Sequence, residues 1–192
     1  MADQTPPALA FLLRRRSCPA KTLGLPVPEG DALLQLLTAA ARCPDHGKLE
    51  PWRFIVLENK ALARLGELAA ARGLSLGRDE AEITKGRQQF DDSHLAVAVI
   101  EVQKESDKIP PIEQTYSAGA VCLSLLNAAL AAGWGANWLS GWPAHDRAFV
   151  ETGLDLESHE RVVGFIHIGT PRATPPERPR PDPEQIITWM SE

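Results

Sequence analysis

The chain has 192 residues, enough for one domain with a substantial core and too few for two full-sized ones. Its 20 basic and 25 acidic side chains leave a net charge of −5 with no long single-sign block, which excludes a general grip on nucleic acid. With 44% hydrophobic and 23% charged residues it has the composition of a folded globular protein.

Thr5 ahead of Pro6 and Pro7 predicts an N-cap and a helix with Leu9, Leu12 and Leu13 on one face, ending in the basic run Arg14-Arg15-Arg16-Ser17. After a loop with Gly24, Pro26 and Pro28, apolar residues from Leu33 to Ala40 recur at helical spacing up to Arg42, where Pro44 stops the pattern. A polar turn, Pro44-Asp45-His46-Gly47-Lys48, leads to a β-branched and aromatic strand over 52–57. Asn59 is placed to cap a helix over 60–72, and the continuous apolar run 95–102 reads as a strand buried on both faces. Between them residues 73–92 read as a polar, mobile excursion.

A long helix is expected over 113–132, apolar almost all round and rich in small residues. Gly133-Trp134-Gly135 ends it, followed by a short strand over 136–139, a helix over 143–152 and a strand over 161–168. Six of the thirteen residues from 171 to 183 are proline, so this stretch is an extended arm and no sheet interior. The order predicts an α+β domain over residues 1–192, with 171–192 an extended C-terminal arm that lies on a second subunit.

Cys18, Cys43 and Cys122 form no Cys-x-x-Cys pair, and the five histidines show no ligand-like spacing, so neither a disulfide framework nor a metal site is indicated. Met1-Ala2-Asp3-Gln4 does not open a secretory signal, and the 15-residue stretch 118–132 falls short of the ~20 apolar residues that span a bilayer. A cytoplasmic protein without a membrane or nucleic-acid partner is expected. Phosphate loops, dinucleotide fingerprints, zinc-protease motifs and nucleophile elbows are all absent.

Two basic clusters remain, Arg14-Arg15-Arg16-Ser17 and the arm residues Arg172, Arg178 and Arg180. They read either as a solvated arm beside a cationic helix end, or as guanidiniums converging on one anion, since residues two apart on an extended backbone project to the same side. Arg42 and His46 at a helix exit read as a helix-end cation and a loop histidine, or as the polar edge of a flat ligand. Trp138 and Ser140 read as core and turn, or as a wall and a phosphate hydroxyl.

In family order, Arg14-Arg15-Arg16-Ser17, Ala41-Arg42-Cys43-Pro44-Asp45-His46 with Pro51-Trp52, Ser117-Ala118-Gly119-Ala120, Gly133-Trp134-Gly135-Ala136-Asn137-Trp138 and Val163-Gly164-Phe165-Ile166-His167-Ile168-Gly169-Thr170-Pro171 before Arg178-Pro179-Arg180-Pro181 resemble the nitroreductase family. The likeness is greatest to its small bacterial subgroup with a Pro-Asp-His turn. The resemblance implies a three-layer α/β/α sandwich with a mixed or antiparallel central sheet, in an intertwined homodimer with FMN at the interface. It implies that Arg15, Arg16 and Ser17 hold the ribityl phosphate with Arg178 and Arg180. Trp138, Leu139 and Ser140 would line the ring and ribityl side, and Arg42 and His46 would approach from the other subunit. A nicotinamide dinucleotide, NADH or NADPH, would lie over Ala128, Ala129, Leu130, Ala131, Ala132 and Gly133.

The implied activity is ping-pong transfer of electrons from NAD(P)H through FMN to a nitroaromatic, quinone or similar acceptor, with the flavin carrying the chemistry and no catalytic side chain required. Lys48 and Glu50 stand where the family has Asn and Gln, and Leu139 where the subgroup has Arg. Those changes keep open a flavin-binding or storage protein without efficient turnover, and solvated arginines would leave a dimeric interaction protein without a cofactor.

Overall fold

Strand β3, Leu95–Val102, carries seven apolar residues and Glu101, and all eight are buried. The computed structural model describes residues 5–191, so the four N-terminal residues read for a targeting signal lie outside the described residues. Strand β2, Trp52–Glu58, pairs with β3 antiparallel from Trp52 opposite Glu101 to Glu58 opposite Leu95. On its other side β3 pairs with β5, Glu160–Pro171, which also carries β4, Gly135–Leu139, and the two-residue β1, Leu23–Gly24. Among the described residues every strand pairing is antiparallel, which settles the sheet as antiparallel and not mixed.

The pleat sends alternate β3 side chains to opposite helical layers. Ala96, Ala98, Ile100 and Val102 meet α3 (Asn59–Ser75), α4 (Glu80–Asp91) and α6 (Arg147–Leu154). Leu95, Val97 and Val99 meet α2 (Gly30–Ala41) and α5 (Pro111–Ala131). On β5 the same parity would put Val162 and Phe165 on opposite faces, yet both join the first layer. A register shift between Val99 and Ile100 leaves Val163 as the extra residue, and this bulge restores the pattern.

The remaining elements are α1, Pro7–Arg14, and a single turn α7, Pro183–Ile186, whose first turn is capped by the Asp182 carboxylate accepting from the Glu184 N–H at 3.1 Å. Pro6, not Thr5, precedes α1 and offers no side-chain cap, and α3 begins at Asn59 itself behind Glu58. The helix expected over 143–152 is two pieces, a short 3-10 helix Trp142–His145 and α6, because the Asp146 side chain accepts from the Phe149 N–H at 2.8 Å and starts a new helix.

The largest difference is α4, where the polar composition predicts an irregular excursion. Asp79 caps this helix by accepting from the Glu82 N–H at 2.8 Å, and Phe90 fastens its far end. The Phe90 ring lies 5.6 Å from Phe149 and 5.3 Å from Phe165, in the centre of one core. One such ring contributes about 1.5–3 kcal/mol by burial, enough to dock a short polar helix that has few other apolar anchors. No helix among the described residues is long and apolar enough to cross a membrane.

Candidate functional site

The basic end of α1 is drawn against the sheet by backbone chemistry. Arg15 closes the helix by donating its N–H to the Phe11 carbonyl at 2.7 Å, and the chain then runs extended past β4. The Cys18 N–H donates to the Ala136 carbonyl at 2.9 Å, while the Asn137 amide donates back to the Cys18 carbonyl at 2.6 Å. Gly135 makes this approach possible, since a Cβ there would stand 3.3 Å from the Cys18 sulfur, and Gly169 lets β1 close in, since a Cβ on it would stand 2.8 Å from the Gly24 carbonyl oxygen.

The arm reaches the same place from the other end of the chain. Arg16 lies 3.8 Å and Arg180 3.6 Å from the same Glu177 oxygen, and Arg180 also donates to the Leu13 carbonyl at 2.8 Å. Two guanidiniums from opposite termini thus converge on one anion. Glu177 is 72% exposed, so as an ion pair this contact contributes at most about 1 kcal/mol. The two guanidiniums are thereby placed to share an anion. Beside it Arg15 donates to the Ser17 hydroxyl at 3.1 Å, and its Nε is buried without a partner. That is a donor held in reserve, in keeping with an oxygen-rich group such as a phosphate.

Arg178 stays exposed and joins no hydrogen bond or ion pair among the described residues, so of the two alternate arm arginines only Arg180 meets Arg16. The Arg172 side chain lies over Gly24. A count of charges gives Glu177 no prominence. Its signal in the sequence is an acid one residue before Arg178 and three before Arg180.

β4 delivers the second group. The Trp138 indole packs on Gly164 of β5, where a Cβ would overlap it, and keeps 37% of its surface exposed. Leu139 pairs with Phe165 at the strand's end, and Ser140 follows, both partly buried. Gly141 then turns the chain with φ +63°, a conformation that favours glycine.

Arg42 and His46 sit elsewhere. Arg42 is the exposed C-cap of α2, and His46 Nδ1 is 2.6 Å from Glu113 Oε2 on α5. Gly47, Lys48 and Glu50 all have positive φ, +74°, +56° and +50°, and the Asp45 carboxylate accepts from the Glu50 N–H at 2.7 Å. Left-handed backbone at two non-glycine residues is locally strained and recurs at functional turns. No hydrogen bond or ion pair joins this turn to the Arg15–Ser17 cluster among the described residues.

Residues Ala128 to Gly133 form the carboxyl end of α5. The N–H groups of Ala132, Gly133 and Trp134 are donated back to Ala128, Leu130 and Ala129, and Gly133 has φ +88°. The helix dipole is negative there, which gives a dinucleotide's phosphates no attraction. Among the described residues no three His, Cys, Asp or Glu side chains group as metal ligands.

Two buried titratable residues belong to the scaffold. His167 donates to or accepts from the Ser93 hydroxyl at 2.9 Å, its Nε2 is unpartnered, and burial pushes its pKa down to about 4. Glu160 takes both Arg53 nitrogens at 2.6 and 2.7 Å, and that guanidinium holds its carboxyl below the usual range.

The family model for the nitroreductase family matches residues 12–170. An Escherichia coli K12 protein named "Putative NAD(P)H nitroreductase YdjA" is 32% identical over 184 residues, covering 95% of this chain and 99% of its own. A Haemophilus influenzae protein named "Putative NAD(P)H nitroreductase" is 33% identical over 164 residues, covering 85% and 88%. Among solved structures, a nitroreductase-like family protein from Bacillus cereus superposes with a TM-score of 0.79 over 100% of both chains at 23% identity. A Desulfovibrio desulfuricans protein described as "a putative nitroreductase in complex with fmn" gives 0.75 at 20% identity, covering 97% and 99%. From sequence along nearly the whole length and from the fold alike, the chain belongs to the nitroreductase family.

Proposed function

We propose that this chain is an FMN-dependent NAD(P)H oxidoreductase that acts as an intertwined homodimer in the cytoplasm, passing electrons in ping-pong fashion to nitroaromatic, quinone or similar acceptors. The single observation that carries this reading is the convergence of Arg16 and Arg180 on one oxygen anion beside the unfilled Arg15 donor and the β4 edge. The named relatives and the FMN complex of a structural neighbour support it.

Bound FMN supplies the hydride acceptor and donor, so this chain needs to bind, orient and tune it. Arg15, Arg16, Ser17, Arg178 and Arg180 hold the phosphate, with Arg16 and Arg180 exchanging the Glu177 carboxylate for it. Trp138, Leu139 and Ser140 form the wall along ring and ribityl chain. Arg42 and His46 come from the second subunit, and cations at the pyrimidine edge favour the negative charge that builds on reduction. Trp189, 88% exposed, and the exposed Leu9, Leu12 and Leu13 of α1 form apolar surface that a second copy covers. On this reading residues 1–192 are one domain, with 171–192 its arm.

The test is the visible spectrum of the freshly purified protein, with the released chromophore identified, followed by NADPH and NADH oxidation with a nitroaromatic. Stoichiometric FMN with turnover is expected. FMN without turnover would make the protein a flavin carrier, and no FMN even in excess would leave an interaction protein.

A further inference from the structure

Gly73 in α3 and Gly86 in α4 are buried helix-interior glycines, positions where alanine would be the better helix former. Both face Trp142. A Cβ on Gly86 would overlap the indole, and one on Gly73 would stand 3.5 Å from its Cζ2 and 2.7 Å from Ile83. The two glycines make a notch between the helices, and the indole fills it.

Three contacts hold Trp142 in this notch. Its Nε1 donates to the Glu82 carbonyl at 3.1 Å, the Arg78 guanidinium lies 4.6 Å over the ring, and Phe149 meets it edge-on at 6.5 Å. The residue directly before it is Gly141, the left-handed turn after Leu139 and Ser140, and Gln89 of α4 packs on that turn, 3.4 Å from where a Gly141 Cβ would lie. Pairing of Leu139 with Phe165 holds the other side of the same turn.

We propose that Trp142 is a positioning residue for the cofactor site: seated in the Gly73–Gly86 notch, it pins turn 139–141 and so sets the wall that Leu139 and Ser140 offer the flavin. The α3–α4 hairpin is then a brace behind the site and not a flap over it. This inference rests on the flavin reading above, and its test separates the two.

The test uses full-length Trp142→Ala, Trp142→Phe and Gly86→Ala, with Arg87→Ala as control. Arg87 bridges Glu67 of α3 and Asp91 of α4 at 2.6 Å each, so its loss loosens the hairpin without touching the notch. FMN affinity is read by fluorescence titration, amide exchange at 139–141 in the flavin-free protein, and Tm on each variant. Trp142→Ala and Gly86→Ala are expected to weaken FMN binding about ten-fold or more, because small misplacements of a binding wall are costly, and to speed exchange at 139–141. Trp142→Phe, which keeps the filled notch, restores most of both, and Arg87→Ala lowers Tm while leaving both unchanged. FMN affinity that falls in step with Tm in all four variants overturns the positioning role. If the wild type binds no FMN, the flavin reading fails, and unchanged exchange at 139–141 in Gly86→Ala or Trp142→Ala overturns the brace on its own.

Discussion

Strand β3 and the C-terminal arm both carry large apolar side chains and use them in opposite ways. Val97, Val99 and Ile100 of β3 have no exposed surface, whereas Trp189 and Met190 of the arm are 88% and 86% exposed. In β3 each side chain has a helical layer waiting on its own face, so burial follows from the pleat alone. The arm is proline-rich and extended, offers no second layer, and among the described residues is anchored by polar contacts, the Arg172 N–H to the Thr22 carbonyl, Glu177 to Arg16 and Arg180 to the Leu13 carbonyl. On the proposed reading the second subunit covers these apolar residues.

Cutting the arm away is the most severe way to sharpen that contrast. Removal of residues 172–192 is expected to convert a dimer to monomers in sedimentation velocity and to abolish stoichiometric FMN, while the core spectrum in the far ultraviolet persists. Sedimentation as an intact dimer would contradict the arm's role. Within the core, Phe165→Ala removes a ring that touches Phe90 and is expected to cost ~3–5 kcal/mol in denaturant unfolding. Trp189→Ala in dilute monomer should stay within ~0.5 kcal/mol of the parent, as an exposed residue does.

The buried His167 supplies a pH test of the core side. Its pKa is pushed down to about 4 by burial, against an ordinary value of 6.5. The unfolded chain therefore binds the proton first, and stability present above pH 6.5 falls as pH drops from 6.5 to about 4. The loss is about 3 kcal/mol at most, and His167→Gln should flatten that part of the stability curve. On the arm side, Arg16→Ala or Arg180→Ala removes one charge-assisted contact and should weaken FMN ~10–100-fold, equivalent to ~1.5–3 kcal/mol. Tm of the flavin-free protein should not move, because the Glu177 pair is solvent-exposed. A matching fall in Tm would mean that the arginines hold the fold together and not a ligand.

Residues differed in how plainly they announced their places. The strand over 95–102 could be read with its bounds, because a continuous apolar run has no solvent face to offer. Charge and extended backbone leave the basic clusters readable either as solvated or as converging on one anion, and Arg16 and Arg180 do converge on Glu177. Helix α4 could not be read, since its docking rests on one Phe and on Gly86 receiving an indole 56 residues later in the chain. Residue type points to caps at Thr5 and Asn59, but the cap of α1 lies one residue later, at Pro6, and that of α3 one residue earlier, at Glu58. Glu177 was hidden because one acid between arginines looks like ordinary surface.

The sequence by itself determined which segments are apolar enough to be strands and helices, their order, the stiffness of the arm and the family, because these depend on local composition and motif order. Only the tertiary structure decided the antiparallel pairing, the bulge at Val163, the fate of residues 73–92, the neutral His167 and the meeting of both termini at Glu177. Those depend on which distant groups exclude water from one another or share a charge, and local sequence does not encode such distances.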